Sequence, residues 1–159
     1  MKLEQTADGS YTLYVPELDE HYHSVKGALT ESQHIFIEMG LKHSPVSEPH
    51  ILEIGLGTGL NAFLTLLSAE ETRRKVHYTG IERYPLAEET LKQLDYPRLI
   101  GKQHEEDYYA IHRAPWNTET EVSPWFTLHK IEDDFTRLFN TEESSRPAVP
   151  LYDIIYFDA

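Results

Sequence analysis

Cysteine is absent from the 159-residue chain, which excludes disulfides, thiolate zinc sites and a cysteine nucleophile together. Long apolar runs are missing as well. None approaches the ~20 residues that a membrane span needs, and Met1 to Tyr14 lacks the apolar centre of a secretory signal. Both absences point to the cytoplasm. Positive charge is scarce: 14 Lys and Arg face 27 Asp and Glu, a net charge of −13. Binding to a phosphate backbone is driven by Lys and Arg releasing counterions, so this acidity argues against nucleic acid as a first guess at the partner. The excess lies in residues 1–50 and 101–159, and the centre is nearly balanced. What is present suffices for one core, with 40% hydrophobic and 11% aromatic residues.

Along the chain, Ser10 to Val15 and His21 to Val25 alternate and predict a small hairpin. Thr30-Glu-Ser-Gln33 has capping-box spacing ahead of the apolar Ile35, Phe36 and Met39, with Gly40 as the stop. The centre alternates strands and helices. Strands are expected at His50–Ile54, Val76–Ile81, Trp125–Ile131 and Tyr152–Phe157. Helices are expected from about Leu60 to Glu70, from Pro85 through Leu94, around Glu105–His112 and near Phe135–Phe139. Such alternation implies right-handed βαβ units and a mostly parallel sheet. Ile154, Ile155, Tyr156 and Phe157 are consecutive and apolar, the pattern of a central strand covered on both faces. The sequence ends at Ala159, so the pattern predicts a domain truncated after its fourth strand.

Glu53-Ile-Gly55-Leu-Gly57-Thr-Gly59-Leu-Asn61 is the most informative segment. Gly55 permits the turn off the strand, Gly57 allows close approach of a ligand, and Gly59 lets the helix start pack on the strand. Phosphate, NAD or S-adenosylmethionine could use such a loop. Its G-x-G-x-G spacing and the preceding Glu53 favour the last, because a carboxylate suits a sulfonium or an α-amino group and repels pyrophosphate. No Gly-Lys-Ser/Thr follows, which excludes a P-loop. Glu82 ends the second strand, where a carboxylate accepts from ribose hydroxyls. Asp133 and Asp134 follow the third strand, suited to an adenine amino group, and Asp158 follows the fourth. Four strand ends carrying acidic groups around one crevice form a ligand-binding constellation.

The arrangement resembles the class I S-adenosylmethionine methyltransferases, and within them the MnmC-type domain that methylates a modified wobble uridine of tRNA. The resemblance rests on Leu29-Thr-Glu-Ser-Gln-His-Ile-Phe36, on Glu53 through Asn61, on Ile81-Glu-Arg-Tyr-Pro-Leu86 and on Tyr152-Asp-Ile-Ile-Tyr-Phe-Asp158. It covers about residues 20–159. It implies a Rossmann-like fold, with residues 1–49 as a hairpin-and-helix extension and residues 50–159 as the S-adenosylmethionine-binding domain, incomplete at its C-terminal end. In that family the strand ending in Asp158 continues into a Phe-x-Pro loop and a Trp-Thr element, which this sequence does not contain. The implied reaction moves a methyl group to the amine of a 5-aminomethyl-(2-thio)uridine. Asp158 is implied as the orienting or basic catalytic residue. Glu53, Gly55, Gly57, Gly59, Asn61, Glu82, Asp133 and Asp134 would hold the cofactor, and Glu31 would lie near the substrate. Relatives usually have glycine at the position of Asp133, which favours Asp134 as the adenine contact. The implied partners are tRNA, as substrate of the full-length protein, and a flavin-dependent oxidoreductase domain, fused or separate.

Plainer readings stand beside these. Glu53 and Glu82 also read as helix-N-terminal charges, one of Asp133 and Asp134 as an N-cap, and His21 and His23 as surface residues with no third metal ligand. Arg73-Arg-Lys75 suits a helix C-terminus, and Tyr108, Tyr109 and Trp116 suit core or lid packing. Because fold does not fix function, two other classes stay open. One is an aminopropyltransferase or NAD enzyme; the other is a non-catalytic cofactor-binding module.

Overall fold

The computed structural model describes residues 1–24, 26–139 and 152–157. Two sheets organise them. The N-terminal one is antiparallel, in the order β1 (Lys2–Gln5), β2 (Tyr11–Val15) and β3 (Glu20–His21). The expected hairpin is therefore the second half of a three-stranded meander, whose first strand is too polar and exposed to be conspicuous in sequence. Helix α1 (Ala28–Ser32) follows and widens into a π-helical turn over Gln33–Glu38.

The start of α1 differs from the capping-box expectation. Thr30 lies inside the helix, and the caps come from the β1–β2 turn. Thr6 Oγ1 accepts from the amide of Ala28, Ser10 Oγ from that of Leu29, and Asp8 Oδ2 from that of Thr30. Asp8 also accepts from the Thr30 and Ser10 hydroxyls. Three of the amides that a helix N-terminus leaves unpaired are thus satisfied by another element. Burial pushes the Asp8 carboxyl up, but hydrogen bonds from Ser10 and Thr30 outweigh it and hold the group well below the usual carboxylate range.

The larger sheet has strands β4 (His50–Ile54), β5 (Val76–Glu82), β6 (Glu119–Ser123), β7 (Phe126–Glu132) and β8 (Ile154–Phe157), in the order β6-β7-β5-β4-β8. All pairings are parallel except β6 with β7. Helix α2 (Leu60–Thr72) crosses from β4 to β5. Helices α3 (Glu88–Leu94), α4 (Tyr96–Ile100) and α5 (Glu105–Arg113) fill the connection to β6, and α6 (Phe135–Phe139) follows β7. Pro85 does not open α3. That helix begins at Glu88 after an extended Ala87, with Glu88 and Glu89 in its first turn.

Leu60, Phe63 and Leu66 of α2 are fully buried with Ile51, Tyr78, Phe126 and Leu128 of the sheet. Each such side chain is worth about 1.5–3 kcal/mol against exposure. The chain runs outward from β4 through β5 to β7, then returns to the other side of β4 with β8. That reversal puts a topological switch point at the C-terminal end of β4, where open α/β sheets bind ligands. The expectation for β8 is corrected in one respect. Among the described residues it is an edge strand with only Tyr156 buried, while Ile155 and Phe157 are 62% and 57% exposed. Arg74 does not serve the end of α2. It clamps the segment before β4, donating to the carbonyls of Leu41 (2.9 Å), Ser44 (2.8 Å) and Val46. Among the described residues no helix is long and apolar enough to cross a membrane.

Candidate functional site

The chain leaves β4 through Gly55, Gly57 and Gly59, all at positive φ (82°, 53° and 73°). The amides of Gly55 and Leu56 both donate to the Ile81 carbonyl of β5 (2.9 and 3.0 Å), which turns the loop across the strand end. At Gly59 a Cβ would lie 2.7 Å from the His112 ring, so a side chain is excluded by space as well as by backbone. A Cβ on Gly55 would meet nothing within 4 Å.

Glu82 ends β5 facing this loop. Its Oε2 accepts from the Gly57 amide at 2.8 Å and its Oε1 from the Tyr84 amide at 2.9 Å. The Asp133 amide donates to the Glu82 carbonyl at 3.1 Å, which joins the end of β7 to the same corner. A crevice of about 420 Å³ opens here, lined by Ile54, Gly55, Glu82, Asp133, Asp134 and Phe157 among others. The C-terminal ends of all four parallel strands contribute to it.

The structure thus brings together Gly55, Glu82, Asp133 and Asp134. Asp134 is also the helix cap that the plainer reading anticipated. Its Oδ1 accepts from the Thr136 hydroxyl (2.7 Å) and amide (2.9 Å), and its Oδ2 pairs with Arg83 at 3.1 Å. The Thr136 hydrogen bonds, with Arg83 and Arg137 nearby, lower the Asp134 carboxyl below its ordinary value. Arg83 is the basic residue lining the crevice, and it is already paired with this carboxylate.

Glu53 and Asn61 are not brought to the crevice. Glu53 is 3% exposed beneath the loop, where its Oε2 accepts from Asn61 Nδ2 and its Oε1 from the Tyr78 hydroxyl, each at 2.8 Å. Burial, then the Glu53 charge, pushes the Tyr78 phenol well above its ordinary value. This trio ties β4, α2 and β5 together directly below the glycines. Among the described residues Asn61 Oδ1 is buried without a hydrogen-bond partner. Glu31 is half-buried on α1 and does not line the crevice. Asp158 lies outside the described residues.

Sequence reasoning missed a ring of side chains outside the glycine loop. Tyr22 packs on Gly57, with ring atoms 3.3 Å from where a Cβ would stand. His23, read as a surface residue, instead hydrogen-bonds the Thr58 hydroxyl through Nε2 at 2.8 Å. The Tyr108 hydroxyl donates to the Thr58 carbonyl at 3.2 Å. Desolvation lowers His23 to about 4, and does the same to His112 with help from the nearby Lys130 charge. These contacts join residues far apart in sequence, so no local pattern announces them. A larger cavity, about 590 Å³, lies between α1, its π turn, α2 and α4. Leu29, Thr30, Gln33 and His34 of the Leu29–Phe36 motif line it, but none of the residues expected to bind cofactor or catalyse does, and the strand-end crevice is the better candidate on chemistry.

No family model matches the chain. Curated relatives do. The chain is 34% identical over 94 residues to the tRNA 5-methylaminomethyl-2-thiouridine biosynthesis bifunctional protein MnmC of Magnetococcus marinus, which covers 54% of this chain and 14% of that protein. Identity to the MnmC of Cupriavidus metallidurans is 34% over 89 residues, 52% of this chain and 13% of the relative. With the MnmC of Burkholderia pseudomallei it is 33% over 119 residues, 71% of this chain and 16% of the relative. In three dimensions the chain is similar to the crystal structure of MnmC2 from Aquifex aeolicus, with a TM-score of 0.62 and 25% identity. That match covers 92% of this chain and 46% of the Aquifex chain. The matches therefore span about one-seventh of the first two curated relatives, 14% and 13% of their lengths. The chain is related to the MnmC proteins, and its fold is the Rossmann-like arrangement of the class I methyltransferases.

Proposed function

Given kinship with the MnmC proteins, we propose that the strand-end crevice binds S-adenosylmethionine and serves methyl transfer to the amine of a 5-aminomethyl-(2-thio)uridine at the tRNA wobble position. The observation that carries this reading is Glu82, whose carboxylate holds the glycine loop at the Gly57 amide and lines the crevice at the switch point. The donor set fits the cofactor. The backbone at Gly55 is unobstructed on the crevice side, three carboxylates suit hydroxyls and a cationic centre, and Arg83, the lining arginine among the described residues, is engaged with Asp134. A pyrophosphate would meet repulsion there.

When bound, S-adenosylmethionine supplies a methyl group activated by a sulfonium. The protein's part is chiefly alignment. Glu82 would accept from the ribose hydroxyls, and the backbone of Gly55 and Gly57 would border the methionine portion. Asp133 and Asp134 would flank the adenine. Asp158, assigned from sequence alone, would orient the substrate amine and take its proton as the nitrogen lone pair forms the new N–C bond and the C–S electrons return to sulfur. Glu53 and Asn61 would act beneath the loop as its support.

Titration calorimetry with S-adenosylhomocysteine and NAD tests the cofactor assignment. The homocysteine product is expected to bind and NAD to give no heat; the reverse result discards the reading. Asp158→Ala is expected to abolish methyl transfer to tRNA bearing the 5-aminomethyl group while leaving S-adenosylhomocysteine affinity within about twofold. Surviving turnover removes Asp158 from the mechanism.

A further inference from the structure

We propose that His23 is a positioning residue for the glycine loop, acting through Thr58, so that the N-terminal meander is a working part of the ligand site. The proposal takes Gly55–Gly59 as the cofactor loop, as argued above.

A loop with glycine at three of five positions has unusually large conformational entropy to lose, so it must be held from outside if it is to be preorganised. Thr58 is the handle. It lies between Gly57 and Gly59, is 1% exposed, and offers both its hydroxyl and its carbonyl to other elements. Its Oγ1 meets His23 Nε2 at 2.8 Å and lies 3.4 Å from the Leu60 amide in the first turn of α2. The imidazole, with the Tyr96 phenol as a second partner, therefore sets the rotamer of a hydroxyl placed at the helix start.

His23 is itself firmly placed. Its amide donates to Thr12 Oγ1 at 2.9 Å, and the Thr12 hydroxyl donates back to the His23 carbonyl at 3.2 Å. The neighbouring Tyr22 amide donates to the Leu13 carbonyl at 2.9 Å. These three bonds anchor the segment to β2, and the β1–β2 turn is fixed in turn by capping α1 through Thr6, Asp8 and Ser10. Tyr22, so anchored, lays its ring against Gly57 on the same loop. The meander thus grips the loop at two adjacent residues, by a hydrogen bond at Thr58 and by packing at Gly57.

The test compares His23→Ala, His23→Gln, Thr58→Val and the double variant His23→Ala/Thr58→Val with the unmodified chain. His21→Ala, which removes a pair with Glu4 and a ring contact with Tyr14 but nothing at the loop, is the control. Two readouts are used: amide hydrogen exchange over residues 57–60 without ligand, and S-adenosylhomocysteine affinity by calorimetry. A net side-chain hydrogen bond of about 1 kcal/mol corresponds to roughly a fivefold effect. His23→Ala is expected to accelerate loop exchange and weaken affinity by about five- to tenfold. His23→Gln, which can still reach the hydroxyl, recovers most of both. The double variant is expected to be no worse than Thr58→Val, because His23 acts through that hydroxyl. Unchanged exchange in His23→Ala or Thr58→Val overturns the proposal, as do additive effects in the double variant or an equal effect in His21→Ala. Should His23→Ala fail to fold, His23→Gln and Thr58→Val carry the decision. If the unmodified chain does not bind S-adenosylhomocysteine, the cofactor reading falls, and the exchange arm still decides the role of His23.

Discussion

Lys130 gives the sharpest test of the packing. It lies in the middle of β7, is 1% exposed, donates from Nζ to the His112 carbonyl at the end of α5 at 2.7 Å, and sits 4.6 Å from the centroid of the Trp116 ring. A carbonyl at a helix C-terminus and an aromatic face both favour a cation. Desolvation nevertheless wins and lowers the ammonium from 10.5 to about 8. The unfolded chain therefore binds this proton more tightly than the folded one, and stability must rise with pH between the two values. Integrating that linkage from pH 7 to pH 9.5 gives a gain of about 2 kcal/mol, out of about 3 kcal/mol over the full interval. The window stops at 9.5 because Tyr78 and Tyr108 are raised by burial, and above pH 10 the unfolded phenols ionise first and stability falls. Lys130→Met keeps the unbranched apolar stem, one atom shorter, and removes the charge. Urea unfolding followed by tryptophan fluorescence at half-unit steps of pH should give a slope for the native chain that the variant lacks. Parallel curves, or a native chain that loses stability relative to the variant as pH rises, would refute the argument.

Asp8→Asn should destabilise the chain by about 2 kcal/mol in urea, since it weakens charge-assisted bonds to Ser10 and Thr30. Because the folded carboxyl is depressed, its contribution is complete above pH 3.8 and declines as pH falls toward the folded value; an Asn variant with the native acid profile contradicts this. Gly59→Ala places a Cβ 2.7 Å from the His112 ring at φ 73° and should cost at least about 1–2 kcal/mol, read as a lowered melting temperature. A neutral result there means the ring yields freely. Glu82→Ala removes the acceptor facing the Gly57 amide and should weaken S-adenosylhomocysteine by about a hundredfold with the fold retained by circular dichroism. Binding within threefold of native would place the ligand elsewhere.

How much of this could be read in the sequence follows from how local each determinant is. β4, β5, β7 and α2 were legible because their apolar residues are buried where they stand, as Ile51, Tyr78, Phe126 and Leu60 are. β6 was not, because Glu-Thr-Glu-Val-Ser forms an edge strand paired on one side only among the described residues, and such a strand needs no apolar signature. The start of α1 was misread for a related reason. Thr30 has the sequence of a local cap, but Asp8, 22 residues earlier, takes both its amide and its hydroxyl.

The candidate site divides along the same line. The glycines and Glu82 are a short-range pattern, and the fold delivers Gly55 and Glu82 to one crevice, with Gly57 held against Glu82 through its amide. Glu53 carries a different lesson about the −13 charge. A carboxylate beside a glycine loop reads as a ligand for a cation, yet both of its oxygens are engaged within the fold by Asn61 and Tyr78. A charge in that position is costly to bury unless its hydrogen bonds are made. Asn61→Leu would strip one donor from the carboxylate, leaving it partly unsatisfied, and should destabilise the chain by about 2–3 kcal/mol. Asn61→Leu in a Glu53→Gln background should cost less, because a neutral amide tolerates the loss better than a carboxylate. A double-variant cycle in urea measures the difference. Additive costs would show that the Glu53 charge does not depend on Asn61. A coupling above about 1 kcal/mol would assign this carboxylate to the scaffold beneath the loop and leave the crevice chemistry to Glu82 and the two aspartates.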